Sequence, residues 1–352
     1  MNKFSDIITC KIWTLDLGRS IFEFNLSIVQ TKHLLRGNMQ YRNIGRTELK
    51  VSEVCLGTLQ CGWWLDEPAS RQVLDSYIDG GGNFIDTADV YPTFGDGIGG
   101  RVAEEIVGRW LNARGNRDRV VLATKVGGRM GSGVNDEGLS RHHILRAVEG
   151  SLCRLQTDYI DLYQAHDDDF AISFDETLSA FDELIRKGIV RYIGCSNIQD
   201  LRLMEALSVS ERNYFGAYVS LQTYYNVIDR HDFERRLQPL CVAENIGVMP
   251  YTPLAKGFLS GRYLRDAPPP PTPRAYGVSQ LYQHERGWKV LNSVKKVAER
   301  LDASPAQVSL AWLLHQPSVV APVVSASSPQ QINDLLGCVN LKLSTEDLSD
   351  LV

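Results

Sequence analysis

The sequence predicts an α/β fold, a (β/α)8 TIM-type barrel with an N-terminal β-hairpin and functional loops on its C-terminal face. Three observations lead there. Eight short apolar runs recur after residue 40, at 51–56, 83–85, 120–123, 159–163, 190–193, 218–221, 247–249 and 319–324. Each is short enough for a strand buried on both faces. Between them lie longer segments at helical spacing, such as 176–187, where Leu178, Phe181, Leu184 and Ile185 make one apolar stripe and Gly188 follows the end. Strands alternating with helices imply parallel pairing through right-handed crossovers, and eight such units are the number that closes a barrel.

Taken in order, residues 1–38 stand outside this beat. They are expected to be either a mobile extension or sequence translated ahead of a native start at Met39, with 39–352 forming one barrel domain. Their apolar patches are interrupted by Asp16, Arg19 and Glu23, which leaves no secretory leader core. Residues 41–51, with Gly45-Arg46 near the turn, read as a hairpin placed to plug the bottom of the barrel. The first barrel run ends Leu56-Gly57-Thr58, which lacks the G-x-G-x-x-G spacing of an open dinucleotide-binding sheet. The glycines of 95–100 follow no apolar strand, so the closed barrel is preferred. After the seventh run, 267–276 carries Pro268 to Pro271 and Pro273, which no helix or central strand can continue. It reads as part of a lid or as an exposed spacer.

Composition narrows the function classes. A hydrophobic fraction of 43% with 22% charged residues is that of an ordinary globular protein. A net charge of −5 with no basic run disfavours nucleic acid or a membrane surface as partner. The seven cysteines show no C-x-x-C pair, and no apolar stretch reaches the roughly 18 residues of a membrane span. The expectation is a cytoplasmic protein with reduced thiols.

Barrel enzymes carry their chemistry at the C-terminal ends of the strands. There the second run is followed by Asp86 and, soon after, Tyr91; the third by Lys125; the fourth by His166. A phenol with a pKa near ~10 is a poor acid at neutral pH, and a neighbouring ammonium lowers that value. The ammonium needs a carboxylate to hold it charged and in place. An imidazole can orient a carbonyl oxygen or share its proton. The polarised carbonyl then accepts hydride, which no side chain supplies, so a nicotinamide cofactor is implied. Each residue alone has an ordinary explanation: a cap, a turn residue before Pro92, a surface charge, a satisfied polar group. Their equivalent positions in the repeat give the combination its weight. His142-His143 and His166 lack metal-ligand spacing.

The chain from Met39 to the C-terminus resembles the aldo-keto reductases. The motifs that carry the resemblance are the stretches 82–91 (GNFIDTADVY), 123–125 (ATK), 158–166 (DYIDLYQAH), 192–197 (YIGCSN) and 251–257 (YTPLAKG). The resemblance implies a (β/α)8 barrel and a catalytic set of Asp86, Tyr91, Lys125 and His166, with Tyr91 as general acid in reduction and base in oxidation. It also implies that Ser196, Asn197 and Gln222 bond the nicotinamide carboxamide and that Tyr251 stacks on its ring. Thr252, Pro253, Leu254, Lys256 and Gly257, with Gly57 and Thr58, would hold the pyrophosphate and ribose. The last cofactor segment departs from the common pattern. Where many relatives place Gly and then Arg or Lys for an adenosine 2′-phosphate, this chain has Ser325, Ser327, Ser328 and Gln331. NADP is the first expectation from the family and NAD the alternative.

The substrate pocket is less legible. Trp63 and Trp64 are expected to wall it beside Tyr91 and His166, with Tyr224, Tyr225, Tyr276 and Tyr282 in loops that line or cover it. Asp167, Asp168 and Asp169 follow His166, and solvated surface charge is the preferred reading, although Asp169 resembles a family carboxylate. The partner would be a small carbonyl or alcohol; the oligomeric state is left open. A second class, a cofactor-binding regulatory subunit like the potassium-channel β-subunits, shares the motifs and would differ by lacking turnover.

Overall fold

The computed structural model describes residues 39–93, 100–272 and 275–351. The extension at 1–38, most of the glycine-rich stretch and Pro273 lie outside the described residues.

The chain enters as a hairpin in which β1 (Tyr41–Asn43) pairs antiparallel with β2 (Lys50–Ser52). Its turn requires glycine twice over. Gly45 has φ +51°, and a Cβ there would sit 2.5 Å from the carbonyl of Asn245 and 2.6 Å from that of Val219. The turn is thus pressed against the N-terminal ends of two barrel strands. Ile44 and Val51 are buried in one cluster with Phe84, Leu162, Val219, Met249 and Val320, which closes the barrel floor.

Eight parallel strands follow: β3 (Cys55–Gly57), β4 (Phe84–Asp86), β5 (Val121–Val126), β6 (Ile160–Ala165), β7 (Val190–Ser196), β8 (Ser220–Tyr224), β9 (Gly247–Tyr251) and β10 (Val323–Val324). Each pairs with the next from β3 to β9, and β10 returns to pair with β3. The last gap is bridged just before β10, where Val248 donates to Ser318 O at 2.7 Å and Val320 donates to Val248 O at 2.8 Å. The run at 319–324 therefore divides its bonds between two neighbours and is regular only at its end. The run at 51–56 also divides, because Ser52 closes the hairpin while Cys55 opens the barrel.

The helices of the described residues wrap this barrel: α1 (Glu67–Asp79), α2 (Val102–Arg114), α3 (Arg141–Leu155), α4 (Phe174–Arg186), α5 (Asp200–Asn213), α6 (Gln238–Ala243), α7 (Ala275–Leu281), α8 (Glu285–Arg300), α9 (Pro305–Leu314), α10 (Pro329–Leu336) and α11 (Thr345–Asp350). Their starts are written locally. Ser140, Ser173, Ser304, Ser328 and Ser344 each accept a backbone N–H from the first turn, a cap worth about 1 kcal/mol. On α4, Leu178, Phe181 and Leu184 turn inward against Tyr163, Ile193 and Leu203. The predicted Gly188 follows the helix with φ +73°, as its stop signal requires. No helix of the described residues is long and apolar enough to cross a membrane.

Candidate active site

At the C-terminal mouth, β4, β5 and β6 deliver three polar side chains from largely apolar strands. Asp86 ends β4, Lys125 lies in β5, and Gln164 lies opposite Lys125 in β6. All three are buried. Lys125 is wholly buried, so each of its three N–H bonds must find an acceptor. They do: Asp86 Oδ2 at 2.5 Å, the carbonyl of Thr87 at 2.9 Å and Tyr91 Oη at 3.2 Å. This arrangement has a consequence for the phenol. Because Lys125 donates to Tyr91 Oη, the hydroxyl proton of Tyr91 must point elsewhere, away from the ammonium.

The other carboxylate oxygen, Asp86 Oδ1, accepts from Gln164 Nε2 and from Gln222 Nε2, both at 2.9 Å. The carboxylate is thereby held from both sides in one orientation. Gln222, expected to face a nicotinamide carboxamide, donates its amide N–H to Asp86. Gln164 was not singled out. Its signal was a long polar side chain within an apolar strand next to His166.

His166 completes the group. Its ring meets Tyr91 edge-on, with centroids 5.6 Å apart. Its backbone is pinned by Val126 O, which accepts its N–H at 2.8 Å, and by Asn197 Nδ2, which donates to its carbonyl at 3.0 Å. Asn197, with φ +51°, also accepts from Tyr251 Oη at 2.8 Å, so both ends of its amide tie the mouth together.

The electrostatics differ from simple expectation at one point. Burial disfavours the Lys125 ammonium, but Asp86 and Tyr91 outweigh it and leave its pKa raised. Burial of the phenol pushes the Tyr91 pKa up, while Lys125 pulls it down; the net direction is upward, not downward as the sequence reading had it. Burial, then the neighbouring Lys125 charge, brings His166 down to about 3, which leaves a neutral imidazole at physiological pH. The site thus holds one charged pair, a protonated phenol and a neutral ring.

The remaining predicted residues distribute around this centre. Thr58 is buried and donates from both N and Oγ1 to the Asp86 carbonyl, at 3.0 and 3.1 Å. Gly57 lies beside Ser325, whose hydroxyl donates to its carbonyl at 3.2 Å. Ser196 at the end of β7 and Gln222 in the middle of β8 are register partners, and both are buried. Thr252, Lys256 and Gly257 all have positive φ, in the turn that also carries Pro253 and Leu254. Ser327 donates from N and Oγ to Gln331 Oε1 at 2.7 and 2.9 Å, and Ser328 caps α10 by accepting from Gln331 N. Trp63 and Trp64 stack on one another at 4.4 Å in the turn after β3, with Trp63 about half exposed. Tyr225 does not line the mouth; it is buried against Phe233 and Trp312 in the outer layer. Tyr282, just past α7, shares a hydroxyl contact with Tyr224 and packs on Phe258, which ties the segment after the proline run to the top of β8.

These residues fit a dinucleotide. Gln164 Oε1 and His166 Nδ1 are buried polar atoms with no protein partner. Non-glycine residues in left-handed backbone concentrate at Thr252, Ala255 and Lys256, strain of the kind that functional loops retain. A Cβ on Gly257 would meet nothing within 4 Å, so that turn has an open side.

A closed parallel barrel with an acid, an ammonium, a phenol and an imidazole at its C-terminal mouth defines an oxidoreductase of the barrel type. The comparisons make this specific: the chain belongs to the aldo/keto reductase family, whose model matches residues 53–352. Members of that family generally use NAD(P)H. The chain is 35% identical over 315 residues to the uncharacterized oxidoreductase YrpG of Bacillus subtilis, covering 88% of this chain and 94% of that protein. It is 32% identical over 323 residues to a probable voltage-gated potassium channel subunit beta of Oryza sativa, covering 89% and 95%. It is 31% identical over 340 residues to the versiconal hemiacetal acetate reductase of Aspergillus parasiticus, covering 89% and 96%.

Proposed function

We propose that this protein interconverts aldehydes or ketones and alcohols with NADP or NAD, using Tyr91 as general acid in reduction and general base in oxidation. The observation that carries this reading is the orientation of the Tyr91 hydroxyl. Lys125 donates to the phenol oxygen, so the O–H is free to donate to a carbonyl oxygen held at the mouth. A nicotinamide ring, when bound, supplies or accepts the hydride. As the phenol gives up its proton, the ammonium 3.2 Å from Tyr91 Oη stabilises the oxyanion left behind. Asp86 keeps that ammonium charged, and Gln164 and Gln222 keep Asp86 in place. Neutral His166 orients the carbonyl oxygen by hydrogen bonding without competing as an acid.

Ser196, Asn197, Gln222 and Tyr251 would lie along the nicotinamide, with Gly57, Thr58 and the 252–257 turn around the phosphates and ribose. At the adenosine end, Ser325, Ser327, Ser328 and Gln331 offer hydroxyls and amides but no guanidinium or ammonium within the segment. NADP remains first because the family favours it; kcat/KM measured with both cofactors decides, and a ratio near unity or favouring NAD reverses that order. The test of the function itself is transfer of deuterium from [4-2H]-labelled NADPH or NADH to the carbonyl carbon of an aldehyde, across aldehydes, ketones, quinones and sugars. Deuterated alcohol is expected. Absence of product over the whole panel, together with capture of a membrane-protein partner, would favour the regulatory-subunit reading, which the similarity to potassium channel β-subunits motivates.

A further inference from the structure

The three consecutive acids after His166 have different fates. Asp168 is spoken for: its two oxygens accept from Arg202 Nη2 and Nε at 2.9 and 2.8 Å, and its side chain is 5% exposed. Asp169 is also committed, accepting from the backbone N–H of Leu139 at 2.8 Å and of Ala171 at 2.9 Å, which closes its own loop. Asp167 is solvent-exposed, and among the described residues no ion pair reaches it.

Its place is fixed by its neighbour. His166 is held by Val126 and Asn197, so the next residue emerges at the same mouth. There the Asp167 carboxylate lies beside the Asn197 amide, and its charge acts on both Tyr91 and Tyr251. The ionisable groups of the active centre that share its field are Lys125, Tyr91 and Tyr251. Lys125 is neutralised by Asp86 at 2.5 Å, His166 is uncharged, and Tyr91 and Tyr251 are both protonated phenols at neutral pH. Burial raises the Asp167 pKa, yet as a carboxylate it stands at this mouth with no ion pair to it among the described residues.

We propose that Asp167 sets the charge preference of the substrate cleft, favouring carbonyl or alcohol substrates that carry a cationic group and disfavouring those that carry a carboxylate. This rests on the oxidoreductase reading above and adds the substrate class to it. The test compares three para-substituted benzaldehydes of similar bulk: trimethylammonio (cation), tert-butyl (neutral) and carboxylate (anion). Comparing wild type with variant for each aldehyde cancels the electronic effect of the substituent. In Asp167→Asn the cation-to-neutral ratio of kcat/KM is expected to fall roughly five- to tenfold, and the anion-to-neutral ratio to rise by a similar factor. Asp167→Glu is expected to keep the wild-type order. Raising the salt from about 50 mM to about 500 mM should shrink the wild-type preference, since an exposed charge is screened. Ratios unchanged between wild type and Asp167→Asn overturn the proposal. If none of the three aldehydes is turned over, the oxidoreductase reading is judged by the broader panel above and the charge preference by binding. The same ratios taken from calorimetric Kd values for the three probes then decide the charge preference, and equal ratios or no binding of the cation overturn it.

Discussion

Replacing Asp86 with Asn removes the charge that holds the active centre while leaving its shape. Asp86 is 1% exposed and Lys125 is 0% exposed, so the ammonium has no water to turn to. With the carboxylate gone it keeps the Thr87 carbonyl and Tyr91 Oη as acceptors but no counter-charge. Removing one partner of a buried ion pair costs about 3–5 kcal/mol, because the other is left uncompensated. The protein can relieve this by releasing the Lys125 proton, and the chemistry then suffers instead, because the phenolate formed at Tyr91 loses its stabilising charge. Each pKa unit lost there is about 1.4 kcal/mol, or tenfold. Asp86→Asn is therefore expected to lose about 3 kcal/mol in urea unfolding and at least about 10²-fold in kcat/KM for carbonyl reduction, with the loss mostly in kcat. A variant that unfolds within about 1 kcal/mol of wild type and keeps more than half its turnover would refute the argument that Asp86 keeps Lys125 charged.

Other outcomes follow from the same structure. Asp89 is fully buried with both carboxylate oxygens lacking a hydrogen-bond partner, and burial, then the Glu104 charge, raises its pKa. The folded state then keeps a proton that the unfolded state releases above about pH 4, so this group costs stability as pH rises. Asp89→Asn should raise Tm by about 2 °C or more at pH 7 and by nothing near pH 3; an equal shift at both would contradict the assignment. Because His166 is held near 3 and Tyr91 is raised, kcat/KM for reduction should be level from about pH 5 to about pH 9 and fall only as the phenol ionises. An acid limb near 6.5 that disappears in His166→Gln would show that the imidazole titrates after all. At the opposite end of the barrel, Asp161 bonds Arg117 and Arg191 at 2.8 and 2.7 Å, and both guanidiniums stack on Tyr159. Asp161→Asn should cost about 2–3 kcal/mol in unfolding without changing kcat/KM, and a change in kcat/KM would break the division between a structural floor and a chemical mouth.

The barrel was legible because its strands are buried on both faces and announce themselves as apolar runs, each closed by a polar residue at the mouth. Asp86, Lys125 and His166 could be found that way, and Tyr91 by its distance from Asp86. Legibility failed where one run serves two partners. Residues 51–56 divide between hairpin and barrel, and 319–324 between two barrel neighbours, since pairing partners leave no mark on local hydrophobicity. Side-chain direction was also hidden. Tyr225 was expected near the pocket because it follows Tyr224 at a strand end, yet adjacent residues leave a strand on opposite sides, and Tyr225 turns outward to Trp312. The grip of Gln164 and Gln222 on Asp86 joins residues 78 and 136 positions away, a coincidence that only the closed barrel makes. The net pKa of Tyr91 turned on burial, which spacing along the chain does not report.

The central claim is that the Tyr91 hydroxyl supplies the proton while Lys125 stabilises the oxygen it leaves. The most direct measurement is single-turnover reduction of a good aldehyde substrate by Tyr91→Phe, with cofactor affinity and unfolding followed in parallel. The account predicts a rate lower by about 10²–10⁴-fold with cofactor binding and fold intact. A phenylalanine enzyme that reduces the aldehyde at close to the wild-type rate would contradict it.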